Sequence, residues 1–136
     1  MRPRRHTRWR RQRGQSLLET ALMIVVIFTV VFWVFELGWL MYTYSVLADA
    51  VNEGVRYAIV HSGGDVAGTQ AKVKAFAGTS LHDVSAITPS VTFPDGNSAP
   101  PNRVRVTVTY TYIPYLPKFI TAPTMKTYAE GRMVAP

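Results

Sequence analysis

A chain of 136 residues, 48% of them hydrophobic, has room for one small domain and one membrane segment. The absence of cysteine excludes disulfides, thiol chemistry and cysteine metal ligands. The net charge of +7 does not describe a folded surface: seven of the 15 basic residues are Arg2, Arg4, Arg5, Arg8, Arg10, Arg11 and Arg13, no acid precedes Glu19, and from Gln15 onward eight bases balance eight acids.

The tail from Met1 to Arg13 is basic and polar, contains Pro3, and is expected to be disordered. Trp9 is its apolar exception and suits a lipid interface. At Gly14 the composition changes. Glu19 comes almost at once, Thr20 to Phe35 holds no charge, and Glu36 is the only charged residue between Thr20 and Ala48. About 20 mostly apolar residues cross hydrocarbon as a helix, and Leu17 to Phe35 nearly supplies that alone. With no proline between Pro3 and Pro89, a helix from about Ser16 to Val60 would be roughly 65 Å long, about twice the thickness of a hydrocarbon core. One end is therefore expected in lipid and the other outside it. Basic residues beside a membrane helix stay on the cytoplasmic side and attract anionic lipid. The N-terminus is expected inside and everything after about Tyr42 outside. A basic arm that binds nucleic acid is the alternative reading of the same arginines. Its position against a lipid-length helix disfavours it, and no nucleic-acid partner is expected.

In the outer half of the helix, Leu40, Tyr44, Leu47, Val51, Val55 and Ala58 recur at spacings of three and four and form one face. That face fits packing against the chain's own C-terminal domain, or contacts between subunits. Asp49, Asn52, Glu53 and Arg56 form the polar side, with Glu53 and Arg56 spaced as a surface pair. Trp39, Tyr42 and Tyr44 lie where an outer aromatic belt would lie. Ser62-Gly63-Gly64 stops the helix.

Thr69 to Ala77 reads as a short amphipathic helix with Gly78 as its C-cap. From Val84 the period becomes two. Val84 to Phe93 is a strand weakened by Pro89, the turn formers from Pro94 to Pro101 make a loop, and Arg103 to Tyr112 is the cleanest strand. Its Val104, Val106, Val108, Tyr110 and Tyr112 face one way, and Arg105, Thr107, Thr109 and Thr111 the other. The two runs suggest a hairpin. A proline-punctuated connection with Tyr115, Leu116, Phe119 and Ile120 leads to a third strand, Thr124 to Val134, with Gly131 as a candidate bulge. Three strands with one apolar face need a helix to cover them, and the outer stem is the expected cover. The expected fold is α+β: a long N-terminal transmembrane and stem helix packed on a small antiparallel three-stranded sheet.

Arg13-Gly14-Gln15-Ser16-Leu17-Leu18-Glu19 follows neither an ordinary secretory leader, whose apolar core is shorter and ends at a small-residue cleavage site, nor a plain anchor, which leaves an intramembrane carboxylate unexplained. It resembles a type IV prepilin leader. That resemblance implies cleavage after Gly14 by a prepilin peptidase, with the apolar helix retained and Glu19 as the fifth mature residue. The new ammonium at Gln15, or that of a neighbouring subunit, would then meet the Glu19 carboxylate in low dielectric, where such a charge is tolerated only when paired. Gln15 stands where conventional pilins most often begin with phenylalanine. A closer resemblance is to the TadE-like pseudopilins of tight-adherence (Flp, type IVb) pilus systems, carried by RGQSLLE, by Phe35-Glu36-Leu37-Gly38-Trp39, and by Asn52-Glu53-Gly54-Val55-Arg56-Tyr57-Ala58. It covers about residues 13 to 60 and is pilin-like in the fold it implies.

That resemblance implies a minor pilin or pseudopilin in three parts: a cleaved basic leader (1–14), a transmembrane and amphipathic stem helix (15–60), and a small extracytoplasmic α+β domain (61–136). Arg13, Gly14 and Gln15 would form the cleavage site and Glu19 the pairing group for assembly, with Glu36, Glu53 and Arg56 as candidate contacts to partner helices. Glu36 has two readings, a pair with a basic group on another helix or a solvated place at the outer interface. Its implied partners are the prepilin peptidase, other pilins, the inner-membrane assembly platform and membrane lipid. An uncleaved single-pass anchor presenting a protein-binding domain is the alternative. Catalysis is not expected: His6, His61 and His82 are scattered without metal-ligand spacing, Asp65, Asp83 and Asp95 sit by turns that they can cap, and no hydrolase, metalloprotease or phosphate-loop motif occurs. No cofactor, metal or small-molecule substrate is expected.

Overall fold

Alternation along residues 103–111 builds the centre of the sheet. In this computed structural model, strand Arg103–Thr111 buries Val104, Val106, Val108 and Tyr110 on one face and is flanked by Ile87–Thr92 and Thr124–Arg132. The structure describes residues 8–61, 64–81, 83–115 and 121–134, with side chains from Gly14 onward. In chain order the elements are α1 (Arg8–Val60), α2 (Val66–Gly78), β1 (Ile87–Thr92), β2 (Arg103–Thr111) and β3 (Thr124–Arg132). The sheet is antiparallel in the order β1-β2-β3. The fold is α+β, with a long apolar N-terminal helix and a small three-stranded sheet. The chain divides into two units between Gly38 and Trp39.

In the first unit α1 begins at Arg8, inside the stretch expected to be disordered, and runs through Gly14. Arginine and glutamine are good helix formers, so the arginine run continues the helical turn set by the apolar residues after it. The apolar side chains from Leu17 to Phe35 are exposed. This is the one described helix long and apolar enough to cross a membrane. Thr20 and Thr29 turn their hydroxyls back onto the helix, donating to the carbonyls of Ser16 at 2.9 Å and Val25 at 2.8 Å.

In the second unit the outer half of α1 supplies Val46, Leu47, Ala50, Val51, Val55 and Ala58 to a core completed by α2 and the inner face of the sheet. Tyr44 does not join it. It is 48% exposed, and Thr43 is buried in its place, its hydroxyl bonded to the Trp39 carbonyl at 2.9 Å. The buried stripe thus runs Thr43, Val46, Leu47, Ala50, Val51, with Leu40 only half-buried.

The second helix starts at Val66, three residues earlier than the apolar pattern suggests, because Asp65 caps it: Gly68 N donates to Asp65 Oδ1 at 2.8 Å. Gly78 is its last helical residue rather than its cap. Thr79 closes the end, with its backbone N–H reaching Phe76 and Ala77 and its hydroxyl donating to Phe76 O at 2.7 Å. Ser62, Gly63 and His82, together with Leu116, Phe119 and Ile120 of the long connection, lie outside the described residues, as do His6 and the side chain of Trp9.

β1 is an edge strand, which is where a proline without an N–H is tolerated, and Pro89 faces Val108 within it. β3 carries no bulge. Its register with β2 is continuous from Arg103↔Arg132 to Thr111↔Thr124. Gly131 serves packing instead: a Cβ there would lie 2.6 Å from Val55 Cγ1 and 2.9 Å from Ile59 Cγ2, so only glycine lets this end of β3 approach α1 so closely.

Candidate functional site

The residues singled out by sequence fall into two separate groups. In the first unit Arg13, Gly14 and Gln15 share one turn of α1 and Glu19 lies on the next. Gly14, Gln15 and Glu19 are exposed, and nothing lies within 4 Å of where a Gly14 side chain would begin. Gln15 and Glu19 are four residues apart, so they stand one turn above each other on one helix face. The carboxylate of Glu19 opens a stretch whose other large side chains, Leu17, Leu18, Leu22 and Met23, are exposed hydrocarbon. Glu36 differs: it is 6% exposed, the only acid in the described chain that is buried.

In the second unit the motif Asn52-Glu53-Gly54-Val55-Arg56-Tyr57-Ala58 is explained largely by its own fold. Val55 and Ala58 enter the core. Gly54 is where α1 meets α2, since a Cβ there would overlap the Val73 side chain and reach 3.5 Å from Val106 Cγ1. Glu53 stands 3.9 Å from Arg56 and 3.9 Å from Lys72 on α2, a partly exposed pairing of small energetic weight. The Arg56 side chain is 80% exposed.

Tyr57 carries a role that the sequence did not show. Its hydroxyl donates to Asp65 Oδ2 at 3.1 Å, and its ring stacks on His61 at 3.9 Å. The backbone N–H of Gly68, the Tyr57 hydroxyl and the nearby His61 hold the Asp65 carboxyl below its usual range, while the bond to Asp65 raises the Tyr57 phenol. The last turns of α1 and the first turn of α2 are thereby tied together. A sequence signal existed in the aspartate directly before α2, but not for its pairing with Tyr57.

Asp83 caps locally, accepting from Ser85 N at 2.8 Å and from the Ser85 hydroxyl at 2.6 Å. Asp95 does more. It accepts from Arg103 N at 2.8 Å and from Arg103 Nη2 at 2.8 Å, closing the loop between β1 and β2. The Arg103 guanidinium beside it lowers its carboxyl to about 2. Glu130 on β3 takes both Arg105, by a short bond, and Arg103 at 3.6 Å. Tyr128 on the same face lies under the Arg105 guanidinium at 5.3 Å. Among the described residues no group of three or more His, Asp or Glu is placed to hold a metal ion.

No curated protein and no solved structure matches the chain. The family model described as TadE-like protein matches residues 14–56, from the glycine of the first motif to the arginine of the second. Over that length of its long helix, the chain is similar to TadE-like proteins.

Proposed function

We propose that this protein is a minor pilin or pseudopilin of a tight-adherence pilus. It is made as a bitopic precursor with its arginine tail in the cytoplasm, trimmed after Gly14 by a prepilin peptidase and kept in the inner membrane by the remaining helix. Its work is structural rather than catalytic. It primes, assembles or caps the fibre through helix contacts with other pilus components and the membrane assembly platform. The observation that carries this reading is the family match beginning at Gly14 itself, with Glu19 five residues on and exposed on a lipid-length helix. A carboxylate at that depth is costly unless it meets a cation, and cleavage after Gly14 creates one at Gln15.

An uncleaved anchor that presents an outer binding domain is the second reading. It is favoured by α1 running without a break through Gly14 and Gln15. Intact-mass analysis of the protein purified from its native host separates the two. A chain beginning at Gln15 supports processing, and one that keeps the arginine tail while the peptidase is active supports the anchor.

A further inference from the structure

Three aromatic rings from distant parts of the chain meet at the start of the second unit. Trp39 and Tyr42 are neighbours on α1, with ring centroids 5.4 Å apart. The third ring is Tyr115, far along the chain in the connection between β2 and β3. It meets Trp39 edge-on at 6.0 Å. The base of that connection is fixed. Tyr112 is 1% exposed, and its N–H donates to Pro123 O at 3.0 Å. Beyond this anchor, Pro114 is buried, whereas Ile113 and Tyr115 on either side of it are 58% and 70% exposed. The chain has thus turned Ile113 and Tyr115 outward, with Tyr115 against Trp39; Trp39 and Tyr42 are themselves 37% and 45% exposed.

The level at which this happens identifies what it faces. The exposed apolar run of α1 includes Leu17 and continues to Phe35, 19 residues, or about 27 Å of helix rise, close to the ~30 Å of a hydrocarbon core. Trp39 stands four residues further, about 6 Å of rise. The polar layer on each side of a bilayer is roughly that deep. Rings that are apolar in body and polar at one end concentrate in that layer.

The geometry points to a second lipid contact, at the headgroup layer, made by Ile113 and Tyr115 of the β2–β3 connection together with Trp39 and Tyr42. The occupant of this surface is phospholipid. The inference rests on the reading of α1 as a membrane span.

The cysteine-free sequence allows a direct test, because one thiol can be introduced at a time into the full chain. Ile113→Cys, Val26→Cys and Ser90→Cys variants are labelled with an environment-sensitive fluorophore and reconstituted in phosphatidylethanolamine–phosphatidylglycerol vesicles. Quencher-bearing lipids carry the quencher either near the headgroup or deep in the chain. The expected result is loss of most Ile113-label emission with the shallow quencher, loss of Val26-label emission with the deep one, and no loss at Ser90. If the Val26 label is quenched but the Ile113 label stays as wet as Ser90, the second contact does not exist while the span stands. If the Ile113 label is shielded from water yet untouched by either quencher, protein covers the site and the lipid assignment is overturned. If the Val26 label is not quenched, the span itself fails, and the inference with it.

Discussion

Gly54 on α1 and Val73 on α2 are packed so closely that a single methyl group on Gly54 would overlap the valine side chain. Val73 is fully buried and β-branched, so it has little freedom to turn aside. Gly54→Ala should therefore destabilise the folded domain by about 1–3 kcal/mol through overpacking, against the ~1 kcal/mol that alanine normally gains over glycine in a helix. Gly38 meets nothing within 4 Å, so Gly38→Ala should be neutral or slightly stabilising. Chemical unfolding of the full chain in detergent, followed by near-UV circular dichroism, measures both. Adding Val73→Ala to Gly54→Ala should recover part of the strain.

The same reasoning applies at Gly131. Its missing Cβ makes room for Val55 and Ile59, so Gly131→Ala should also cost about 1–3 kcal/mol. A bulge would have predicted a shifted strand register, which hydrogen exchange on β3 amides would detect. The expected result is an unchanged protection pattern with lower overall stability.

Leu47 is fully buried and Tyr44 is 48% exposed. Leu47→Ala should cost about 2–5 kcal/mol, whereas Tyr44→Ala should change stability by no more than about 0.5 kcal/mol. Equal losses at the two positions would mean that the face containing Tyr44 is the packed one.

These contrasts show what the sequence could reveal and where it stopped. The alternation of Val104, Val106 and Val108 against Arg105 and Thr107 needs only the two-residue repeat of a strand, and the structure buries the expected side. The apolar length of α1 needs only counting. Which turn of α1 faces the sheet depends on the exact angle between helix and strands, so a spacing argument that joins Leu40 to Tyr44 and Leu47 picked the neighbour of the buried Thr43. Gly54, Gly131 and the Tyr57–Asp65 bond are tertiary meetings. Each glycine is ambiguous in sequence, because the same residue marks a cap, a bulge or a close approach. Arg13, Gly14, Gln15 and Glu19 stand out in the sequence through their resemblance to a prepilin leader, not through any physical pattern of their own. The fold adds only that Gly14, Gln15 and Glu19 are exposed on one continuous helix.

Asp95 is held at about 2 by Arg103, below the ordinary 3.8 of an aspartate. A carboxyl depressed in the folded state contributes stability that is present above its unfolded pKa and lost as pH falls through the folded one. The loop clasp should therefore weaken between about pH 4 and pH 2. In Asp95→Asn that part of the acid sensitivity should disappear while stability at neutral pH drops modestly. Melting temperatures recorded from pH 2 to pH 7 for both proteins provide the comparison.

Glu19→Ala should leave membrane insertion and trimming after Gly14 intact and impair pilus assembly. Immunoblotting for the processed form, with electron microscopy of surface fibres, reads the two effects separately. Normal fibres in the variant would remove the assembly role assigned to Glu19.

Thr20 and Thr29 spend their hydroxyl protons on carbonyls of their own helix. Between Thr20 and Phe35 the rod therefore offers a neighbouring rod few directional bonds beyond the indole N–H of the half-exposed Trp33, and is otherwise a contour of hydrocarbon. Two such surfaces slide and roll past each other with little to favour one stagger over the next. In the fibre proposed above, the vertical offset between adjacent subunits would be fixed at the ends of this smooth stretch, by Glu19 at one end or by the folded domain beyond the other.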